Sequence, residues 1–446
     1  MKKFRIIAIS VFTFCVIHAE AQIISTENLP ANWSLQDCIA YAKKNNIQLN
    51  TLRLNTSSAD QDLLQAKAAK LPSVSGTLSQ SLVNGKQVNV VVGGLQSQAN
   101  FSGNYGINSS LTLFNGGYLN HDIQAKQLAV QSAGLSVEEA QNDISLSITE
   151  SFLNILLAKE NIKALEEVLT TSQAQLKQGQ QRFDAGSISR KDLLQLEAQV
   201  AGDEYNLVNA NNSYRKNTVT LKLVLQLPSA FDFQVAVPDT LIVQQLAPSL
   251  PEAQNAAMAE RPEVKNDSVA IAIANMTLLK AKAGALPFVS LGAGLASGYA
   301  NLSADNTYFT QVSNNFYQSL GLSVNVPIFN KRVNKTNIEK SKIAIEQAKL
   351  ALAGTRVNLN SEVEQSYINL QNGLAQYRSA EAQLKVVKES YDITNEQLRL
   401  GALNMVDLQQ QKSLYIQALQ SYIQAKYSAV LYNKIYEFYM GLPMIF

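Results

Sequence analysis

The sequence predicts a mixed α and β membrane protein. Long antiparallel coiled-coil helices are joined to four β-strands of transmembrane type per chain, and the whole arrangement is written twice. Three observations carry this reading. Short motifs recur at a constant offset of 215 positions. Apolar residues alternate with small or polar ones in two segments of each copy, and in the segments that follow they fall at every seventh position.

The first element is a targeting segment, residues 1–21. Lys2, Lys3 and Arg5 precede an apolar run from Ile6 to Ile17, and Ala19-Glu20-Ala21 closes it with a small-x-small cleavage pattern. The run falls short of the ~20 residues a helical span needs. Phe14 is too bulky before Cys15 for lipoprotein processing, so a mature exported chain starting at Gln22 is expected, without a lipid. Cys38 is then the one remaining thiol and reads as a small buried hydrophobe. Only 16% of residues are charged and the formal net charge is +2. That balance gives no electrostatic case for a nucleic-acid partner.

The offset runs through the chain. Ser34-Leu35 recurs as Ser249-Leu250, Ala66-Lys67-Ala68 as Ala281-Lys282-Ala283, Leu71-Pro72 as Leu286-Pro287, and Leu227-Pro228 as Leu442-Pro443. Residues 22–228 and 249–446 are therefore expected to be two copies of one structural unit, with 229–248 as a linker. Each copy opens with a helical stretch, 34–71 or 249–286, that proline ends. Strand pairs follow at about 73–114 and about 288–328, each strand some 10–13 residues long. In the second pair Phe316, Leu320, Leu322, Val324, Val326 and Ile328 share one face, while Tyr317, Ser319, Gly321, Ser323 and Asn325 share the other.

The period then changes. Ile148, Ile155, Ile162, Leu169, Leu176 and Phe183 fall at seven-residue spacing, and so do Val363, Leu370, Tyr377, Leu384, Tyr391 and Leu398. Such a repeat implies supercoiled helices packed knobs-into-holes. The helical hairpins are placed at about 118–226 and about 332–440, and a helix of roughly 65 residues would be about 97 Å long. No globular core needs that length.

Each hairpin turns at a repeated motif. Gly186, Asp192, Leu193 and Gln195 return as Gly401, Asp407, Leu408 and Gln410. The glycines suit a left-handed C′ position, while Ser189 and Asn404 suit N-caps with an aspartate at N3. On these grounds both aspartates read equally well as caps or as functional groups.

Four strands cannot close a barrel, and in lipid an open edge would leave backbone groups unsatisfied at several kcal/mol each. A membrane reading therefore requires the barrel to be shared between chains, and three chains would supply twelve strands. A soluble β-sandwich between the helices is the alternative on pattern alone.

The repeat, Leu-Pro before the first strand, LTLFNGG after the second, the Gly-x-x-x-x-x-Asp-Leu tips and the terminal GLP together resemble the TolC-like outer-membrane efflux protein family over essentially the whole mature chain. The resemblance implies a homotrimer with a twelve-stranded β-barrel in the outer membrane and a periplasmic α-barrel tunnel below it. It also implies an equatorial collar built from linker and termini, and tips opened by a periplasmic adaptor (membrane fusion) protein of an inner-membrane pump. It puts Asp407 at the periplasmic constriction, with Gln410 where a second acidic ring can lie. Leu398 and Leu403 stand where a polar inter-helix latch would be expected, and Asp192 becomes a cap or a latch partner. Gly186, Ser187, Ile188, Gly401, Ala402 and Leu403 become candidate adaptor contacts.

Chemistry is poorly supported by the residues. His121 is the only histidine beyond the targeting segment, and no P-loop, G-x-S-x-G or metal-spacing motif occurs. No catalysis and no cofactor are expected, and substrate movement would be passive. The alternative function is an extended periplasmic coiled-coil scaffold or adaptor without a pore.

Overall fold

The computed structural model describes residues 30, 32–89, 93–238, 248–301, 307–400, 402, 404–442 and 444. The targeting segment, Gly401, Leu403 and part of the linker lie outside the described residues. In chain order, β1 (Asn32–Trp33) leads to α1 (Leu35–Asn45), α2 (Ile47–Ala68), β2 (Ser73–Asn89), β3 (Gly94–Phe114), α3 (Tyr118–Asp184) and α4 (Arg190–Leu225). After β4 (Gln234–Val235) come α5 (Leu250–Glu260), α6 (Pro262–Ala283), β5 (Phe288–Ala300), α7 (Tyr308–Asn314), β6 (Tyr317–Asn325), α8 (Val333–Arg399) and α9 (Met405–Tyr439). The helices α3 and α8 have 67 residues each, about 100 Å of helix at 1.5 Å per residue.

The stretches expected as single helices, 34–71 and 249–286, are each broken once. Asn46 is extended (φ −61°, ψ 128°) and its side chain caps α2 by accepting the Leu49 amide at 3.2 Å. Arg261 takes the same conformation (φ −65°, ψ 129°) because Pro262 follows it.

The four long strands form one antiparallel sheet in the order β2-β3-β5-β6. The first two strands are longer than the sequence suggests, at 17 and 21 residues. The last is shorter, ending at Asn325 rather than running on toward Ile328. Pro327 explains the stop, since it has no N–H to give a ladder. Cross-strand register sets Leu78 opposite Tyr105, Ile107 opposite Leu295, and Leu291 opposite Leu322, so these side chains share one face. Asn108, Gly294 and Ser319 lie on the other. The helix α7, unmarked by any periodicity, lies along β5 beyond the point where β6 begins. There the Ala300 amide donates to Gln311 Oε1 at 3.0 Å and Asn315 Nδ2 donates to the Gly298 carbonyl at 2.7 Å. Side chains thus replace the missing strand.

Each strand pair meets its hairpin through a left-handed turn. In the first, Gly116 and Gly117 have φ of 66° and 85°; in the second, Lys331 and Arg332 have φ of 51° and 69°. Glycine takes this conformation freely, whereas side chains pay for it.

Two cores brace the helices. One gathers Trp33, Phe152, Leu225, Phe233 and Tyr427 from β1, α3, α4, the linker and α9. Here β1 pairs in parallel with β4, joining the start of the described chain to the linker. The other packs Ala253, Val264, Val363, Leu370 and Tyr436 from α5, α6, α8 and α9. Its residues Val363 and Leu370 belong to the seven-residue series, as do Ile148 and Ile155 in the first core.

Candidate functional site: the paired hairpin tips

The motifs written 215 positions apart in the sequence stand side by side in the fold. A cavity of about 450 Å³ separates them, lined by Arg182, Ile188, Asp192 and Leu196 of the first hairpin and Asn395 and Met405 of the second. At the first tip α3 ends in a left-handed turn. Gly186 has φ 72°, its amide donates to the Phe183 carbonyl, and the Ser187 amide donates to the Arg182 carbonyl at 2.7 Å. Gly186 and Ser187 are exposed. Ile188, expected at the exposed end, is instead half-buried, because its side chain turns into the cavity.

The two aspartates separate in role. Asp192 closes a capping box: its Oδ2 accepts from the Ser189 amide at 3.2 Å and from Ser189 Oγ at 2.7 Å. In α9 the cap is made by Asn404, whose side chain accepts the Asp407 amide at 3.0 Å. The Asp407 carboxylate has no partner among the described residues. Asp407 is half-buried and Gln410, one turn on, is exposed. Leu408, next to Asp407, and Lys412, four residues after Leu408, face inward and are buried. Ala402 is exposed, while Gly401 and Leu403 lie outside the described residues.

Polar contacts tie the hairpins together above the tips. Arg182 donates to the carbonyls of Leu398 at 3.4 Å and Arg399 at 2.8 Å, placing its charge at the negative end of α8. Gln175 Nε2 donates to Asn395 Oδ1 at 2.9 Å. Higher up, Lys412 Nζ reaches Asp203 Oδ2 at 2.6 Å and also donates to Ser172, with Gln199 Nε2 on Asp203 Oδ1 at 2.9 Å. Burial pushes the Lys412 ammonium below its ordinary range, and Asp203 partly offsets this. Near the first core Glu160 accepts from Lys426 at 3.0 Å and from Tyr427 at 2.7 Å.

Sequence reasoning missed Ser172, Asp203 and Lys412. A lysine flanked by Gln411 and Ser413 in a polar helix gives no sign that it is buried. The one available signal was its place four residues after Leu408, on the buried stripe.

Among the described residues no helix is long and apolar enough to cross a membrane, and no cluster of three or more His, Cys, Asp or Glu side chains could hold a metal ion.

A family model described as "Outer membrane efflux protein" matches residues 38–225 and 254–431. The chain belongs to the outer membrane efflux protein family. It is 21% identical to the outer membrane efflux protein BepC of Brucella suis biovar 1 (strain 1330) over 405 residues, 89% of this chain and 83% of that protein. With the outer membrane protein TolC of Escherichia coli (strain K12) it shares 24% identity over 225 residues, 48% of this chain and 45% of that one. Its fold resembles the Campylobacter jejuni CmeC outer membrane channel (TM-score 0.78, 18% identity, 91% of this chain and 85% of that one). The fold of CusC is similarly close, with TM-score 0.78, 17% identity and coverage of 94% and 96%. The chain is an outer-membrane protein of an efflux-channel family.

Proposed function

We propose that three copies of this chain close a twelve-stranded β-barrel in the outer membrane. Their α-hairpins would line a periplasmic tunnel that passively conducts substrates delivered by an inner-membrane pump through a periplasmic adaptor. The observation that carries this reading is the sheet. It has four strands with unpaired outer edges at β2 and β6, one apolar face, and one face of Gly, Ser and Asn. In lipid both edges must pair, and only neighbouring copies of the same sheet offer matching strands.

Two further features support it. Phe114 lies opposite Val289 at one end of the apolar face, and Tyr299, ten residues along β5, contacts Tyr308 and Phe101 at the other. At ~3.3 Å per residue and a tilt near 40°, the aromatic borders stand about 25 Å apart, the height of an outer-membrane apolar band. On α8, Ile343, Leu350 and Val357 follow at seven-residue spacing yet remain exposed in the single chain, as do Val386, Ile393 and Leu400. Exposed stripes of this kind are seams for another helix.

In this assembly Asp407 and Gln410 would face the axis at the constriction, and the tips around Gly186, Ser187 and Ala402 would meet the adaptor. The deciding experiment is the native mass of protein extracted from outer membranes in mild detergent. Three chains per particle are expected. A monomer, or release without detergent, would overturn the shared barrel.

A further inference from the structure

Charge is unevenly placed about the sheet. All four long strands share one border, where Ser73 lies opposite Ser110, Phe114 opposite Val289 and Phe288 opposite Asn325. The segments that flank the strands there, 63–72, 115–124, 278–287 and 326–335, hold seven lysines and arginines and one acid. Lys280 engages that acid, Asp122, at 2.5 Å. Lys67, Lys70, Lys282, Lys331, Arg332 and Lys335 are exposed, and none joins an ion pair among the described residues. From this border to the far one, residues 73–114 and 288–325 carry Lys86 and Asp305 as their only charges.

Helix dipoles explain part of the belt. Lys67, Lys280 and Lys282 lie in the last turns of α2 and α6, where a cation is favourable. Lys331, Arg332 and Lys335 have no such reason. They stand at the start of α8, the positive end of its dipole, and the first two hold left-handed φ. The first copy has Gly116, Gly117 and Asn120 at the same places. Three cations are thus set against the helix field, and two of them against backbone preference as well. Just before them, Val326, Ile328 and Phe329 are 53%, 94% and 85% exposed. An exposed apolar run continued by cations suits a membrane surface, with acyl chains beside the first and negative headgroups beside the second.

We infer that the junction of β6 and α8 binds the headgroup of an anionic phospholipid through Lys331, Arg332 and Lys335, in the leaflet on the helical side of the sheet. This rests on the membrane reading of the sheet given above. Selection is by net charge: the phosphate of phosphatidylglycerol has no compensating ammonium, whereas that of phosphatidylcholine does.

The test is native mass spectrometry of the full-length protein in mild detergent, with equal amounts of phosphatidylglycerol and phosphatidylcholine bearing the same acyl chains. The wild type is expected to retain phosphatidylglycerol about tenfold in preference. Combining Lys331→Gln, Arg332→Gln and Lys335→Gln should bring the two lipids within about twofold. Lys340→Gln with Lys342→Gln, further along α8, should leave the preference as it was. Excess glycerol 3-phosphate should not displace the lipid; displacement would mean a site for free phosphate and overturn the proposal. So would a wild type that keeps both lipids equally, an outcome that needs no variant to fold, or a triple variant that keeps the preference. The same spectra give the particle mass. If the triple variant dissociates and the wild type shows no lipid preference, the cations serve a neighbouring copy instead. Retention of neither lipid would remove the sheet from the membrane, and the proposal would fall with it.

Discussion

The side chain of Asn404 accepts the amide hydrogen of Asp407 at 3.0 Å, so α9 is capped without calling on the Asp407 carboxylate. At the matching turn, Asp192 Oδ2 accepts from both the amide and the hydroxyl of Ser189. Two aspartates that look alike in the sequence are thus divided: one serves the cap, and the other has no partner for its carboxylate among the described residues.

Exchange of these residues separates the roles. Asp407→Asn should leave thermal stability within about 0.5 kcal/mol, since the cap survives. It should still raise resting conductance in bilayers and weaken block by a multivalent cation such as hexamminecobalt. Asp192→Asn should do the reverse, costing about 1 kcal/mol with conductance unchanged. Unaltered conductance and block in Asp407→Asn would remove Asp407 from the constriction.

The strand-to-helix turns offer a stability test. Lys331 and Arg332 hold the left-handed conformation that Gly116 and Gly117 hold in the first copy. Lys331→Gly and Arg332→Gly should each stabilise by up to about 1 kcal/mol, read as a higher thermal midpoint. Gly116→Ala should destabilise, because a Cβ there would lie 2.9 Å from the Ala283 carbonyl oxygen and from Leu286.

Acid should weaken the junction of α3 and α9. Burial by itself would raise the Glu160 carboxyl, but hydrogen bonds from Tyr427 and Lys426 outweigh it and hold the group below its ordinary range. A depressed carboxylate stabilises the fold above the unfolded value, ~4.3, and that contribution is lost as pH falls through the folded value. The thermal midpoint should therefore drop on acidification below about pH 5, and the drop should be shallower in Glu160→Gln.

Cys38 should be chemically silent. Burial, with a smaller contribution from the charge of Asp37, pushes its thiol up to about 12. Only thiolate reacts readily, so maleimide at pH 8 should leave the native protein unlabelled and modify it once denatured.

Much of this architecture is legible in local pattern. The turn chemistry of Gly186, Ser189 and Asn404, the seven-residue series through Ile148 and Val363, and the alternation through Leu320 and Leu322 are all short-range signals. Each reflects a backbone preference or a periodic face, which neighbouring residues alone can specify. The breaks at Asn46 and Arg261 were legible in principle too, since one residue is a strong cap and the other precedes proline. The extra length of β2 and β3 was not. Their outer halves pair only with each other, and nothing in either strand records how far its partner runs.

The sequence by itself determined the long helices, the four long strands, their order and the hairpin turns, because these follow from propensity, capping and period. Only the tertiary structure decided which polar side chains would be buried together. Ser172, Asp203 and Lys412 come from three helices, and Lys412 is 209 positions from Asp203. A charge is as well solvated as any other until packing removes its water, and that removal depends on which helices meet, which no local pattern encodes.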